Sequence, residues 1–285
     1  MTELRKKMIR DMQIRNFSSA TQKHYLRSVS RLAKYYNCSP DKISTDKIHD
    51  YLAHLLIEEK ITVGTYHVIL TGLRFFYTVT LKFDKEKIPI PSVKKVTRLP
   101  EVLCVEELED LFNAATNPKQ KALLMTVYSA GLRVSEVVHL KVTDIQKDRM
   151  SIRVNQGKGG KGRYTLLSER LLLELRAYWG IKRPPVWLFP GRNIDNPMVT
   201  RVAQYYYKRA AKKAGIKKRG GIHTLRHCFA THLLESGVDI RTIQMLLGHS
   251  SILTTVPYLQ LTNKSLQGTK SPLDLLPKPT VKNEQ

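Results

Sequence analysis

The stretch HTLRHCFATHLLESG, residues 223–237, places His223, Arg226 and His227 on a predicted helix. Leu225, Phe229, Leu233 and Leu234 already give that helix an apolar face, so packing makes no demand for the polar trio. Three answers are open: a metal, an anion, or ordinary solvation. His223 and His227 are four residues apart, as zinc ligands are when two histidines share a helical face. But Thr224 stands where that pattern has its glutamate, no acidic third ligand follows at a useful spacing, and Arg226 would repel a cation. Neither a metal nor another cofactor is expected.

An anion with charged oxygens on several sides, such as a phosphodiester, needs cations and donors converging from several places. The sequence supplies them. Arg133 lies in AGLRVSE, just after Gly131, where a helix is about to begin. Lys158 lies in the glycine-rich turn QGKGGKGR, which permits close backbone approach to a ligand. His249 follows a helix-ending glycine in LLGHSS, and Tyr258 comes nine residues later. Each has an ordinary reading by itself: a solvated arginine, a surface lysine, a histidine facing a helix macrodipole, a core tyrosine. It is the set that asks for one ligand.

To bring these residues together the chain needs two kinds of structure. Residues 1–92 read as a small helical bundle. Tyr25, Val29, Leu32 and Tyr36 recur at helical steps after the cap candidates Ser18 and Ser19. A further helix opens near Ser44–Thr45 with Ile48, Leu52, Leu55 and Leu56, and another runs from about Val63 to Thr80. The segment IPIPSVKKVTRLP, 88–100, has the prolines of a linker. Residues 99–270 read as mixed. Helices are predicted at 105–115, 119–130, 134–140, 169–180, 198–214, 222–236 and 239–247, with a β-hairpin over SIRVNQGKGGKGRYTLL. Gly237 suits the position just past the end of the penultimate helix. The expected class is mainly α with a small β-hairpin or sheet (α+β), followed by a polar tail, 271–285.

The 285 residues are 42% hydrophobic and 25% charged, an ordinary globular balance. Forty-eight Lys and Arg against 24 Asp and Glu give a net charge of +24, which points to a polyanionic partner. Residues 1–95 carry 18 basic and 9 acidic side chains, and 96–285 carry 30 and 15, so one polyanion could lie across both halves as in a clamp. No apolar run reaches the ~18 residues of a membrane span, and no secretion signal is read at the start. Three scattered cysteines without C-x-x-C spacing fit a reducing cytoplasm.

The pattern G-L-R-x-S-E, a G-K-G hairpin, H-x-x-R-H-x-F-A-T-H-L-L-x-x-G, then L-G-H and a tyrosine nine residues on resembles the tyrosine recombinases. Phage integrases and Xer-type enzymes belong to that family. The resemblance runs from the helical N-terminal region to about residue 262, nearly in register over the last third. It implies an N-terminal SAM-like core-binding domain and a C-terminal catalytic domain. The implied reaction is site-specific cleavage and rejoining of double-stranded DNA through a 3′-phosphotyrosine. Arg133 and Arg226 would bind the scissile phosphate, with Lys158 as general acid and Tyr258 as nucleophile. His223 and His249 would contact phosphate or nucleophile, while Glu136 and His227 match more structural positions. Pro257, just before the tyrosine, suggests a short, mobile segment rather than a long helix.

The resemblance also implies a homo-tetramer on two DNA sites, a possible accessory protein or second recombinase, and a cytoplasmic, nucleoid-associated enzyme. Leu273, Leu275 and Leu276 could dock on a neighbour or cap their own domain. Two alternatives share the charge or the chemistry: a non-catalytic architectural DNA-binding protein, and a type IB topoisomerase. A pure binder has no reason to keep Arg133, Lys158, Arg226, His249 and Tyr258 together.

Overall fold

The computed structural model describes residues 2–83, 101–155 and 162–261. The chain divides into two compact units, Met1–Thr97 and Arg98–Gln285.

The described part of the first unit is helical. Helices α1 (Glu3–Ile14), α2 (Ser19–Tyr35), α3 (Thr45–Ile57) and α4 (Val63–Phe75) pack around Met8, Met12, Leu32, Tyr51, Leu55 and Leu73, and α4 runs on into a π-helical turn, Phe76–Thr80. Ser18 caps α2 by accepting from the Thr21 amide, and Thr62 caps α4 by accepting from the Thr65 amide, each satisfying one otherwise orphaned donor. Ser44 precedes α3 but makes no side-chain cap bond.

The second unit is built on α6 (Pro118–Ala130). Residues Ala122 to Val127 are all buried, so this helix has no solvent face, and α8 (Glu169–Lys182), α9 (Thr200–Lys213) and α10 (Ile222–Glu235) surround it. Its one buried amide is satisfied: Gln120 donates to the Tyr206 carbonyl and accepts from Thr116. Helix α5 (Val105–Asn113) closes one side, and the short α7 (Val134–Val138) follows α6 directly.

The predicted hairpin is present as β2 (Ser151–Val154) and β3 (Arg163–Leu166), antiparallel with Ile152 opposite Thr165 and Val154 opposite Arg163. A two-residue strand, β1 (Ile145–Gln146), adds an edge that the sequence pattern is too short to reveal. Ile152, Val154 and Thr165 face inward, and the Thr165 hydroxyl donates to the Ala130 carbonyl, fixing the sheet on the end of α6. The turn between β2 and β3, with Lys158, lies outside the described residues, as do the linker and the tail. Helix α11 (Ile240–Leu247) and two 3-10 turns, Ile252–Thr254 and Val256–Leu261, complete the described part of the unit.

Candidate active site

The carboxyl end of α11 is the frame of the site. The helix stops at Gly248, whose φ of 64° turns the chain and leaves the last carbonyls without helical partners. Three guanidiniums cover three consecutive carbonyls. Arg163 Nε donates to Leu246 O at 2.8 Å, Arg226 Nη2 to Leu247 O at 2.7 Å, and Arg133 Nη2 to Gly248 O at 3.4 Å. Cations are favoured there because the helix dipole ends negative.

Glu136 ties the three arginines together. Its side chain is 1% exposed. One carboxylate oxygen accepts from Arg133 Nη1 at 2.7 Å and Arg163 Nη1 at 2.9 Å. The other accepts from Arg163 Nη2 at 2.9 Å and from the Arg133 backbone amide at 2.8 Å, with Arg226 Nη1 at 3.7 Å. Burial alone would push this carboxyl up. The hydrogen bonds and charge of Arg163, helped by Arg133, outweigh it and hold the pKa at about 2. The local sequence explains the placement. Helix α6 ends at Gly131 in a left-handed turn, Arg133 caps α7, and Glu136 at the third helical position reaches back to the cap amide.

Arg226, on α10, is 1% exposed and also donates to Gly131 O at 2.7 Å. Burial, then the neighbouring Arg133, lowers its pKa to about 9, so it remains a cation at neutral pH. Gly131 has φ 59°, and a Cβ there would stand 2.4 Å from the Phe229 ring, so α6 and α10 meet closely only because the residue is glycine.

Tyr258 approaches from the other side. It is 4% exposed, packed with Phe229, Ala230, Ile243 and Leu247, and its hydroxyl lies 2.9 Å from His227 Nδ1. Burial raises its pKa, while Arg226 and Arg133 pull the other way. His227 is pushed down to about 4 by burial, then by His223 and Arg226, and is neutral. The His223 ring meets it edge to face at 4.8 Å and is likewise lowered, by desolvation and then by Arg226 and Arg133. His249 Nδ1 pairs with the Thr255 hydroxyl at 2.9 Å, and Thr255 O accepts from the Tyr258 amide at 3.0 Å. His249 therefore props the turn that carries the tyrosine. Burial, then the three arginines, pushes it down to about 4.

Of the residues singled out in the sequence, Arg133, His223, Arg226, His249 and Tyr258 meet in this one region of the second unit, together with Glu136 and His227. Lys158 lies outside the described residues. The sequence motifs do not single out Arg163 or Thr255. Arg163 carries a signal: it shares a strand face with the buried Thr165, and an arginine on an inward register position needs a buried carboxylate. Among the described residues, no group of three His, Cys, Asp or Glu side chains is placed to hold a metal ion. The tyrosine segment is short, a six-residue 3-10 turn.

Residues 101–265 match the phage integrase family, and residues 4–86 match the phage integrase N-terminal SAM-like domain. A Sinorhizobium fredii protein named as an integrase/recombinase is 44% identical over 98% of this chain and 91% of its own length. The tyrosine recombinase XerA of Pyrococcus horikoshii is 34% identical over 72% of each chain. In fold, the chain is similar to a lambda integrase tetramer bound to a Holliday junction, with a TM-score of 0.72 and 18% identity over 89% of this chain and 76% of that one. The chain belongs to the phage integrase family. It is a site-specific recombinase of the tyrosine type.

Proposed function

We propose that this recombinase cleaves and rejoins double-stranded DNA through a 3′-phosphotyrosine on Tyr258. The observation that carries the reading is the Tyr258 hydroxyl held at 2.9 Å by His227, which directly follows Arg226 on α10 and so ties the nucleophile to the arginine frame. Arg133 and Arg226 bind the scissile phosphate, where forked donors meet the non-bridging oxygens and the charge that builds on them. His223 and His249 border that position. The tyrosine oxygen forms the bond to phosphorus as the bond to the 5′-oxygen breaks. The phenolic proton passes to the neutral His227 imidazole, and Lys158 protonates the departing 5′-oxygen. Burial and then His223 depress His227 most, and an incoming phosphate raises its basicity by offsetting the smaller contribution of Arg226. In the second step a 5′-hydroxyl displaces the tyrosine. A phenol of pKa about 10 leaves readily, so the bond energy is kept and no ATP is needed.

Arg226 and Tyr258 are 1% and 4% exposed, so the cover over them has to open as DNA enters. Residues 1–92 act as the core-binding domain, 99–270 as the catalytic domain and 271–285 as a tail. The two halves of the chain, residues 1–95 at +9 and 96–285 at +15, clamp the duplex. The enzyme works as a homo-tetramer on two sites in the cytoplasm at the nucleoid, with an accessory protein or second recombinase as a possible partner. The lambda integrase tetramer on a Holliday junction supports that assembly. Among the described residues no helix is long and apolar enough to cross a membrane.

The test begins with the duplex site the protein selects from a random-sequence pool, nicked near its centre so that a cleaved strand cannot religate. Wild type is expected to form an SDS-resistant adduct and Tyr258→Phe to bind equally but form none. Adduct formation by the Phe variant moves the nucleophile elsewhere.

A further inference from the structure

We propose that Arg163 is a positioning residue that keeps Arg133 and Arg226 available to the scissile phosphate by occupying Glu136. The inference rests on the reading of Arg133 and Arg226 as the phosphate-binding pair.

A carboxylate between two phosphate-binding arginines is at first sight a liability. Glu136 lies 2.7 Å from Arg133 Nη1 and 3.7 Å from Arg226 Nη1, close enough to compete with the phosphate for both. Arg163 weakens that competition by sharing the carboxylate, although the Arg133 contact persists. Its fork takes both carboxylate oxygens at 2.9 Å, so Glu136 is held as a spacer rather than as a rival anion. Its Nε holds Leu246 O at 2.8 Å, and its stem lies beneath Gly248, where a Cβ would come within 2.8 Å of Arg163 Cδ. One side chain of β3 thus fixes α7, with Arg133, against the α11 turn that leads to His249. Arg163 is itself committed: its side chain is only 10% exposed, and Nε, Nη1 and Nη2 all have partners, so it acts through its neighbours rather than on DNA.

Charge counting makes the idea testable. Three guanidiniums and one carboxylate leave +2 facing the phosphate. Arg163→Met leaves +1, with Glu136 free to draw Arg133 away. Arg163→Met combined with Glu136→Gln returns the site to +2. On the nicked duplex, Arg163→Met is expected to form adduct about 10²-fold more slowly than wild type, the scale of losing one transition-state donor, with duplex affinity unchanged. The double variant is expected to recover at least about tenfold, because it removes the freed carboxylate. On a neutral methylphosphonate placed at the mapped cleavage position, the Arg163→Met defect should shrink to less than about tenfold, since less charge has to be met.

A purely structural role for Arg163 would predict a double variant no faster than the single one and an equal defect on both substrates. Either result overturns the proposal, as does wild-type cleavage by Arg163→Met. Should Arg163→Met fail to fold, Arg163→Lys serves instead. It keeps the charge and loses the fork, so it is expected to be slowed, with the same narrowing on methylphosphonate, and a defect that does not narrow overturns the proposal. If wild type itself formed no adduct, the phosphotyrosine reading would fail first. A wild-type adduct with an unaffected Arg163→Met overturns this inference alone.

Discussion

Replacing Glu136 with Gln keeps the side chain's shape and removes the one negative charge that three guanidiniums share. The folded pKa is about 2 against an ordinary value of 4.5. That gap of about 2.5 units, at ~1.36 kcal/mol each, makes the folded carboxylate worth about 3 kcal/mol at neutral pH. The figure agrees with the ~3–5 kcal/mol expected when one partner of a buried ion pair is removed. Because the folded pKa is depressed, this stability is fully present above pH 4.5 and is lost as pH falls toward 2. By pH 3 roughly half of it should remain. Both tryptophans, Trp179 and Trp187, fall within Arg98–Gln285, so urea unfolding followed by tryptophan fluorescence reads the unit that holds Glu136. Glu136→Gln should be less stable than wild type by about 3 kcal/mol at pH 7, with the gap roughly halved at pH 3. A gap under ~1 kcal/mol at pH 7, or one that does not change with pH, would refute the carboxylate's role as hub.

Gly248→Ala should be more damaging than Gly237→Ala. Both have positive φ, but a Cβ at Gly248 meets Arg163 at 2.8 Å whereas one at Gly237 meets open space, so only the former should lower adduct yield as well as the melting temperature. Lys158→Ala should cleave ordinary DNA about 10²–10⁴-fold more slowly. It should cleave a 5′-bridging phosphorothiolate at nearly the wild-type rate, because a thiolate needs no proton to leave, while Arg133→Ala stays defective on both. Equal slowness on both substrates would make the lysine a DNA contact only. Fragments 1–95 and 96–285 should each bind duplex DNA more weakly than the whole chain, and binding should weaken with salt by about 0.9 log units per phosphate contacted for each tenfold rise. Equal affinity of fragment 96–285 and the whole chain would exclude the clamp.

Helix placement was legible because it rests on local chemistry. Ser18, the steps through Val29 and Leu32, and Gly237 each act within a few residues. Three consecutive tyrosines on α9, Tyr205, Tyr206 and Tyr207, show the limit: successive helical residues point to different faces, so Tyr207 is buried while Tyr205 is 57% exposed. Strand β1 is too short to carry a pattern, and the π turn at Phe76–Thr80 keeps helical spacing while changing its hydrogen bonds. In the site, the motif residues were legible one by one, but their division of labour was not. Glu136 matches a structural position in the motif and proves to join three arginines from three elements. Arg163 trails a turn full of lysines and glycines and looks solvated until β3 is paired. His227 matches a structural position in the motif, yet it is the histidine that touches the tyrosine hydroxyl, a contact spanning 31 residues that no local pattern encodes.

Cleavage through a phosphotyrosine requires that Tyr258 become covalently joined to DNA. The wild-type adduct on the nicked duplex can be digested with nuclease and trypsin and the nucleotide-bearing peptide sequenced by mass spectrometry. Cleavage after Arg241 and Lys264 releases residues 242–264, whose sole tyrosine is Tyr258. A nucleotide attached through its 3′-phosphate to that residue is expected. Attachment to Tyr205, Tyr206 or Tyr207, or to a serine, would contradict that expectation.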